Sequence, residues 1–223
     1  MIRSILYKEE IKTRRIAIAT FIAMALLATY ILINIFHTIR YQGEVTLWDM
    51  IVHKDYNMIS DYKYVPLLVG ILWSLFQMIP ELQRKRLKLT LHLPIKRQKM
   101  IAVMIGYGLT MLTMLFILTI GIPLLILSNY FSYEIIWAWS LAILPWIGAG
   151  YLGYLAFAAI CIEPTWRNRV VLFLLFALST QLFLFDAYSK AMIYMYPIHL
   201  FILLLFGISI FYTTIRFKEG RQG

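Results

Sequence analysis

The sequence is short of the residues on which soluble and secreted proteins depend. It contains one cysteine, Cys161, so no disulfide can form within the chain, and a disulfide-stapled secreted module is excluded. Charged residues make up only 14% of the 223 residues, against about 25% in an ordinary soluble domain. This shortage of charge excludes a soluble globular enzyme and a disordered tail, because both keep far more charge in contact with water.

Hydrophobic residues take the place of the missing charge. They make up 61% of the chain, and the mean hydropathy is +0.76. Six apolar runs can cross a hydrocarbon core, which needs about 20 residues, so we expect an all-α polytopic membrane protein with a single transmembrane domain over residues 1–223. A barrel is excluded because the runs are continuous and do not alternate. The predicted spans are 16–36, 64–79, 101–127, 136–162, 170–185 and 193–215.

The distribution of basic residues predicts the orientation. With the N-terminus in the cytoplasm, 17 of the 21 Lys and Arg fall in cytoplasmic segments and 4 in external ones. This asymmetry follows the positive-inside rule, and six spans place both termini in the cytoplasm. It also accounts for the net charge of +10, so no nucleic-acid partner is expected. The external loop 37–63 is predicted to hold a short amphipathic helix or, equally well, no regular structure.

Several catalytic motifs are missing. The chain has no Gly-Lys-Ser/Thr phosphate loop, no His-Glu-x-x-His helix and no Gly-x-Ser-x-Gly elbow. Its four histidines are scattered, and Cys161 is interpreted as a small core residue. Ionisable residues are almost absent from the apolar runs, which argues against an ion-driven carrier. We therefore expect no catalytic, cofactor-binding or metal-binding residues, and the energy for any uphill transport must come from a partner.

The loop 80–100 between spans 2 and 3 carries the most distinctive pattern. Seven of the 21 basic residues lie in it. Leucines occupy every second position from Leu87 to Leu93, which is a strand pattern but also places i,i+4 pairs on one face of a short helix. Because a lone strand at a membrane surface has no partner, we favour an interfacial helix that ends before Pro94. A basic loop that only fixes topology is the alternative.

This loop resembles the inner loop of ABC-2 type permeases, the membrane subunits of ATP-binding-cassette exporters. That family often shows an acidic residue, then Gly-Thr-Leu, further leucines, a proline, and an arginine three residues after the proline. The residues that match when the chain is aligned on its proline are Glu81, Leu87, Leu91, Pro94 and Arg97. Basic residues stand where the family has Gly-Thr, as in a divergent member.

The resemblance implies that loop 80–100 couples the membrane helices to an ATPase. Glu81 and the basic cluster at 84–86 are expected to pair with opposite charges on the ATPase or within the loop, and the leucines are expected to dock through apolar contacts. The residues assigned to this ATPase-coupling loop are Glu81, Arg84, Lys85, Arg86, Leu87, Leu91, Pro94 and Arg97.

The N-terminal segment 1–15 resembles the family's amphipathic elbow helix, which lies on the inner leaflet. The basic residues of this predicted elbow are Arg3, Lys8, Lys12, Arg14 and Arg15. A plain positive flank of the first span is the alternative. The first span itself is too long for a signal-peptide core of about 7–15 residues, so we expect a retained helix.

The resemblance implies a multi-pass permease subunit of the bacterial cytoplasmic (inner) membrane that forms half of an exporter's translocation path. Its expected partners are a cytosolic ABC ATPase, which binds ATP and Mg, a second copy of the permease or a paralogue, and membrane lipid. The chain itself is not expected to be an enzyme. The first alternative is a membrane scaffold or assembly factor that needs no ATPase. The second alternative is a membrane-embedded enzyme that acts on lipid. It would need a group of polar side chains at one membrane face, and the sequence does not reveal one.

Overall fold

The computed structural model describes residues 2–42, 62–82, 97–185 and 193–219. This part of the chain is helical almost throughout and holds no strand, so the all-α prediction is confirmed. The α-helices are α1 (Ile2–Gln42), α2 (Val65–Leu82), α3 (Arg97–Phe116), α4 (Ile122–Leu127), α5 (Tyr133–Ile162), α6 (Trp166–Phe183) and α7 (Tyr196–Glu219).

Five of the predicted spans coincide with helices that are long and apolar enough to cross a membrane. These are α1, α2, α3 together with α4, α5, and α7. The remaining predicted span, 170–185, lies largely in α6, which is 18 residues long and begins four residues earlier, at Trp166. Arg167 and Arg169 in its first turns make α6 less apolar than the others.

The outer surface of the bundle is apolar. Large side chains such as Leu26, Leu125, Leu178 and Ile208 are each at least 65% exposed. Soluble monomers rarely expose contiguous apolar surface on this scale. Helices that satisfy their own backbone hydrogen bonds while presenting apolar side chains outward are what a lipid solvent requires, so the chain has the character of a helical membrane protein.

The third predicted span is not one regular α-helix. A π-helical stretch, Ile117–Gly121, joins α3 to α4, and the Ile122 N–H donates to the Ile117 carbonyl. Pro123 has no N–H and cannot bond to the carbonyl four residues earlier, so the helix widens there. Pro145 causes no such break, and α5 continues through it.

The prediction of a separate elbow helix is wrong, because α1 is a single helix of 41 residues. Residues 2–42 contain no glycine or proline, so nothing interrupts the hydrogen-bond ladder between the basic first turns and the apolar span. At 1.5 Å per residue the helix is about 60 Å long, roughly twice the thickness of a hydrocarbon core. The basic turns are therefore a rigid extension of the first span.

Helix α5 lies at the centre of the bundle and packs most extensively against α2. Glycines allow this approach: a Cβ on Gly70 would overlap the carbonyl of Gly150, and a Cβ on Gly150 would lie 2.7 Å from the Pro66 carbonyl oxygen. Close contact through small residues is the usual way in which helices associate in lipid. On another side of α5, Gly148 makes room for the ring of Phe183 on α6.

One end of the bundle collects most of the described basic residues, and we call it the basic end. Helices α1, α3 and α6 begin there, and α2, α5 and α7 finish there, as contacts between their terminal turns show. The loop 80–100 starts and finishes at this end. Residues 83–96 of that loop, with its predicted interfacial helix, and residues 43–61 of the predicted external loop lie outside the described residues.

Candidate functional site

Glu81 lies in the last turn of α2, where the predicted coupling loop begins. Its carboxylate is only 2% exposed, and it accepts hydrogen bonds from two lysines of α1, at 3.0 Å from Lys8 Nζ and 3.2 Å from Lys12 Nζ. Among the described residues, Glu81 pairs with α1, and its expected pairing with an ATPase or with Arg84–Arg86 of its own loop stays a prediction, because those loop residues lie outside the described part of the chain. Helix α1 is unbroken, and its first turns bring Lys8 and Lys12 to the last turn of α2.

Glu9 supplies a second buried carboxylate beside the first. It is fully buried, and the Lys12 ammonium lies 2.7 Å from it, one turn along α1. Lys12 is itself only 13% exposed and therefore sits between two acids, one on its own helix and one on α2. A buried carboxylate without a counter-charge would be very costly, so this pairing explains how two acids are accommodated.

Gln77 connects these charges to the core of the bundle. Its amide nitrogen donates to Glu9 Oε2 and to the Met104 carbonyl, each at 2.9 Å, and its amide oxygen accepts from the Tyr154 hydroxyl at 2.9 Å. Both amide protons and the amide oxygen are thus satisfied, which fixes the orientation of the side chain. Through Gln77 alone, helices α1, α2, α3 and α5 are joined.

A glycine on α3 makes the contact between Gln77 and Tyr154 possible. A Cβ on Gly108 would overlap the Tyr154 hydroxyl and would lie 2.5 Å from the Gln77 amide oxygen. No residue with a side chain fits at this position without moving one of the two partners. Gly108 is therefore a structural requirement of the site.

A further hydrogen bond joins α1 to α3 beside the charges. Thr13 Oγ1 lies 2.8 Å from the Tyr107 hydroxyl, and Thr13 also donates to the Glu9 carbonyl. We call the whole set the polar cluster, and its members are Lys8, Glu9, Lys12, Thr13, Gln77, Glu81, Tyr107 and Tyr154. Its two carboxylates are balanced by two lysines, so it is close to neutral as a unit.

The chemistry of the polar cluster suits a structural role, the holding together of helix ends, and not catalysis. It contains no histidine or cysteine, its hydroxyls are hydrogen-bonded, and both carboxylates are occupied by lysines. Ion pairs of this kind contribute little net stability but are costly to break on one side only, so they favour discrete arrangements of the helices that carry them. The cluster is suited to holding helix ends in register.

A third buried acid, Glu163, also lies at the basic end. Glu163 follows α5 directly, and its carboxylate accepts hydrogen bonds from the Thr165 hydroxyl at 2.6 Å and the Asn168 amide at 3.2 Å. Arg216 of α7 lies 3.3 Å from the same oxygen. The Arg169 guanidinium donates to the Glu163 carbonyl. This Glu163 cluster holds the ends of α5 and α7 to the beginning of α6.

The structure brings together only some of the residues predicted from the sequence. Glu81 meets Lys8 and Lys12, whereas Arg3, Arg14 and Arg15 are exposed on α1. Residues Arg84 to Pro94 lie outside the described residues, and Arg97 is described only as the first residue of α3.

Sequence reasoning missed Glu9, Gln77 and Tyr154. Two signals were available: Glu9 is three residues before Lys12, and Gln77 is four residues before Glu81 on the same face of α2. The sequence also revealed no group of polar residues from several spans, and the polar cluster is such a group, at the basic end of the bundle. Among the described residues, no group of three His, Cys, Asp or Glu side chains could hold a metal ion.

Comparison of the chain with protein-family models, with curated proteins and with solved structures finds no match.

Proposed function

We propose that this chain is the permease subunit of an ATP-driven exporter of the ABC-2 type, driven by a separate cytosolic ATPase. The observation that carries the proposal is the position of Glu81. It stands where loop 80–100 begins, it is paired with α1, and it lies one turn from Gln77, which reaches α3 and α5. A partner that displaced this loop would therefore act on four helices at once.

The ion pairs of the polar cluster suit such a displacement. If the start of the loop moves away from α1, Lys12 keeps Glu9 as its counter-charge, and Gln77 continues to donate to Glu9. Glu81 then needs a new cation, and the basic residues Arg84, Lys85 and Arg86 follow it directly in the sequence. Glu81 would then have two paired states, one with the lysines of α1 and one with the basic residues of its loop, and an unpaired state between them. ATP binding on a partner can shift the equilibrium between the two paired states.

The proposal places the basic end in the cytoplasm of a bacterial inner membrane. Exposed Arg3, Arg14 and Arg15 on the extended start of α1 then lie near anionic headgroups of the inner leaflet. As half of a translocation path, the chain pairs with a second copy or with a paralogue. ATP and Mg bind on the partner ATPase.

The experiment is affinity purification of the tagged chain from its native membranes in mild detergent. A protein with a Walker-type nucleotide-binding loop should co-purify with the wild type and hydrolyse ATP. Leu87→Asp, in the predicted interfacial helix of loop 80–100, should lose this partner, while Glu134→Ala, at the opposite end of α5, should retain it. Recovery of no nucleotide-binding protein with any of the three chains would contradict the proposal.

The alternative, a membrane scaffold or assembly factor without an ATPase, has one observation in its favour. The two buried carboxylates of the polar cluster and Glu163 are all paired, as in an assembly whose helices never move. The same purification separates the two functions, because a scaffold would bring down membrane partners and no ATP hydrolysis.

A further inference from the structure

A long apolar groove runs along the bundle between α3, α5 and α7. Its volume is about 590 Å³, and Ile105, Leu109, Tyr151, Leu204 and Gly207 are among the residues that line it. The polar side chains in its wall are Thr113 and Tyr151, whose hydroxyls bond to each other at 2.8 Å. The groove therefore presents no polar group that lacks a partner, and it lies within helices that can cross a membrane.

We propose that this groove binds one acyl chain of an anionic phospholipid, with the lipid phosphate near Lys99. This inference does not depend on the proposed function. It rests on the length and apolar lining of the groove and on the positive charge of Lys99 beyond one of its ends.

The length of the groove corresponds to one leaflet. Its wall on α7 extends from Leu200 to Phe211, which is about 16 Å at 1.5 Å per residue. Half of a hydrocarbon core is about 15 Å thick. An acyl chain lying parallel to the helices would therefore fill the groove from end to end.

The lining of the groove suits an acyl chain. The residues that line it are almost all apolar, and at Gly207 a Cβ would meet nothing within 4 Å. A flexible chain one methylene wide can therefore reach the backbone of α7 there.

Charge complementarity identifies the headgroup. Lys99 is exposed on α3, six residues and about 9 Å before Ile105, which lines the groove where α3 and α7 approach the basic end. The headgroup region outside the hydrocarbon core is several ångströms deep on each side, so Lys99 lies at its level when the chain fills the groove. A cation there favours a lipid with net negative charge over a zwitterionic one.

Native mass spectrometry of the purified full-length chain, titrated with phosphatidylglycerol or with phosphatidylcholine, tests this proposal. Phosphatidylglycerol should bind at one high-affinity site. Gly207→Phe should weaken binding about tenfold, because a Cβ at Gly207 meets nothing within 4 Å and the ring would fill the groove. Gly106→Phe is the matched control: Gly106 is equally open but does not line the groove, so affinity should not change.

Two further variants keep the test decisive. Lys99→Ala should lower the affinity for phosphatidylglycerol to that for phosphatidylcholine. If Gly207→Phe does not fold, Leu204→Trp fills the groove from an exposed position and should give the same loss. Unchanged lipid binding in a folded groove-filling variant would overturn the proposal. Loss of a dimer with lipid binding unchanged would also overturn it, since a second copy would then occupy the groove.

Discussion

Lys12 and Glu81 are 69 positions apart in the sequence, and the Lys12 ammonium lies 3.2 Å from a carboxylate oxygen of Glu81. The same ammonium lies 2.7 Å from Glu9. This arrangement ties the start of loop 80–100 to the first turns of α1. Under the proposed function, it is one of the contacts through which a displacement of the loop would reach α1.

Lys12 should matter more for stability than Lys8. Lys12→Ala leaves two buried carboxylates short of a counter-charge, and we expect the free energy of unfolding to fall by about 3 kcal/mol. Lys8 is 40% exposed, so Lys8→Ala should cost about 1 kcal/mol or less. Denaturant unfolding in detergent, followed by circular dichroism, measures both. Equal losses for the two variants would show that the buried position of Lys12 has no energetic role.

The two glycines of α3 should respond in opposite directions to the same change. Gly108→Ala forces a methyl group into the Tyr154 and Gln77 side chains and should cost about 1–3 kcal/mol. Gly106→Ala meets nothing within 4 Å and should be neutral or stabilise the helix by up to about 1 kcal/mol. Thermal unfolding midpoints of the two variants, measured side by side, check this difference. A Gly108→Ala protein as stable as the wild type would mean that the hydrogen bond between Gln77 and Tyr154 is dispensable.

The sequence was sufficient to predict the helical class, because continuous apolar runs leave few other folds in lipid. The π-helical stretch before Pro123 likewise has a local cause, the missing N–H of one residue. The polar cluster was not predictable in the same way. Glu9 and Gln77 are 68 positions apart, and only the packing of α1 on α2 brings them together.

The elbow prediction failed for a related reason. Basic residues such as Arg3, Lys8 and Arg15 beside apolar ones predict a helix that lies on the membrane surface. The pattern of charge along a helix does not reveal its angle to the next segment, and α1 continues as one helix because no glycine or proline breaks it.

Glu163 should fix the end of α7 to the rest of the bundle. Glu163→Ala leaves Arg216 without its buried counter-charge and Thr165 and Asn168 without an acceptor, so we expect a loss of about 3 kcal/mol. Hydrogen exchange of the last turns of α7 should become faster. Glu134→Ala is the control: this exposed acid in the first turn of α5 should cost less than about 1 kcal/mol. Unchanged hydrogen exchange in Glu163→Ala would show that the Glu163 cluster does not hold the end of α7.

The orientation of the chain can be tested by labelling single cysteines. In a Cys161→Ala background, Asn129→Cys lies on the exposed turn between α4 and α5, opposite the basic end. We expect a membrane-impermeant maleimide to label it in intact cells, and to label Arg3→Cys only after the membrane is permeabilised. Labelling of Arg3→Cys in intact cells would show that the N-terminus is outside the cell, which contradicts the proposed topology.

ATP hydrolysis by the chain and its co-purified ATPase in liposomes tests the central claim most directly. The account predicts that Glu81→Ala, once shown to be inserted and folded, lowers ATP turnover several-fold relative to the wild type, while Glu134→Ala does not. If ATP turnover is the same in Glu81→Ala as in the wild type, coupling through the polar cluster is contradicted. Transport by the chain alone, without nucleotide, would contradict the proposed function itself.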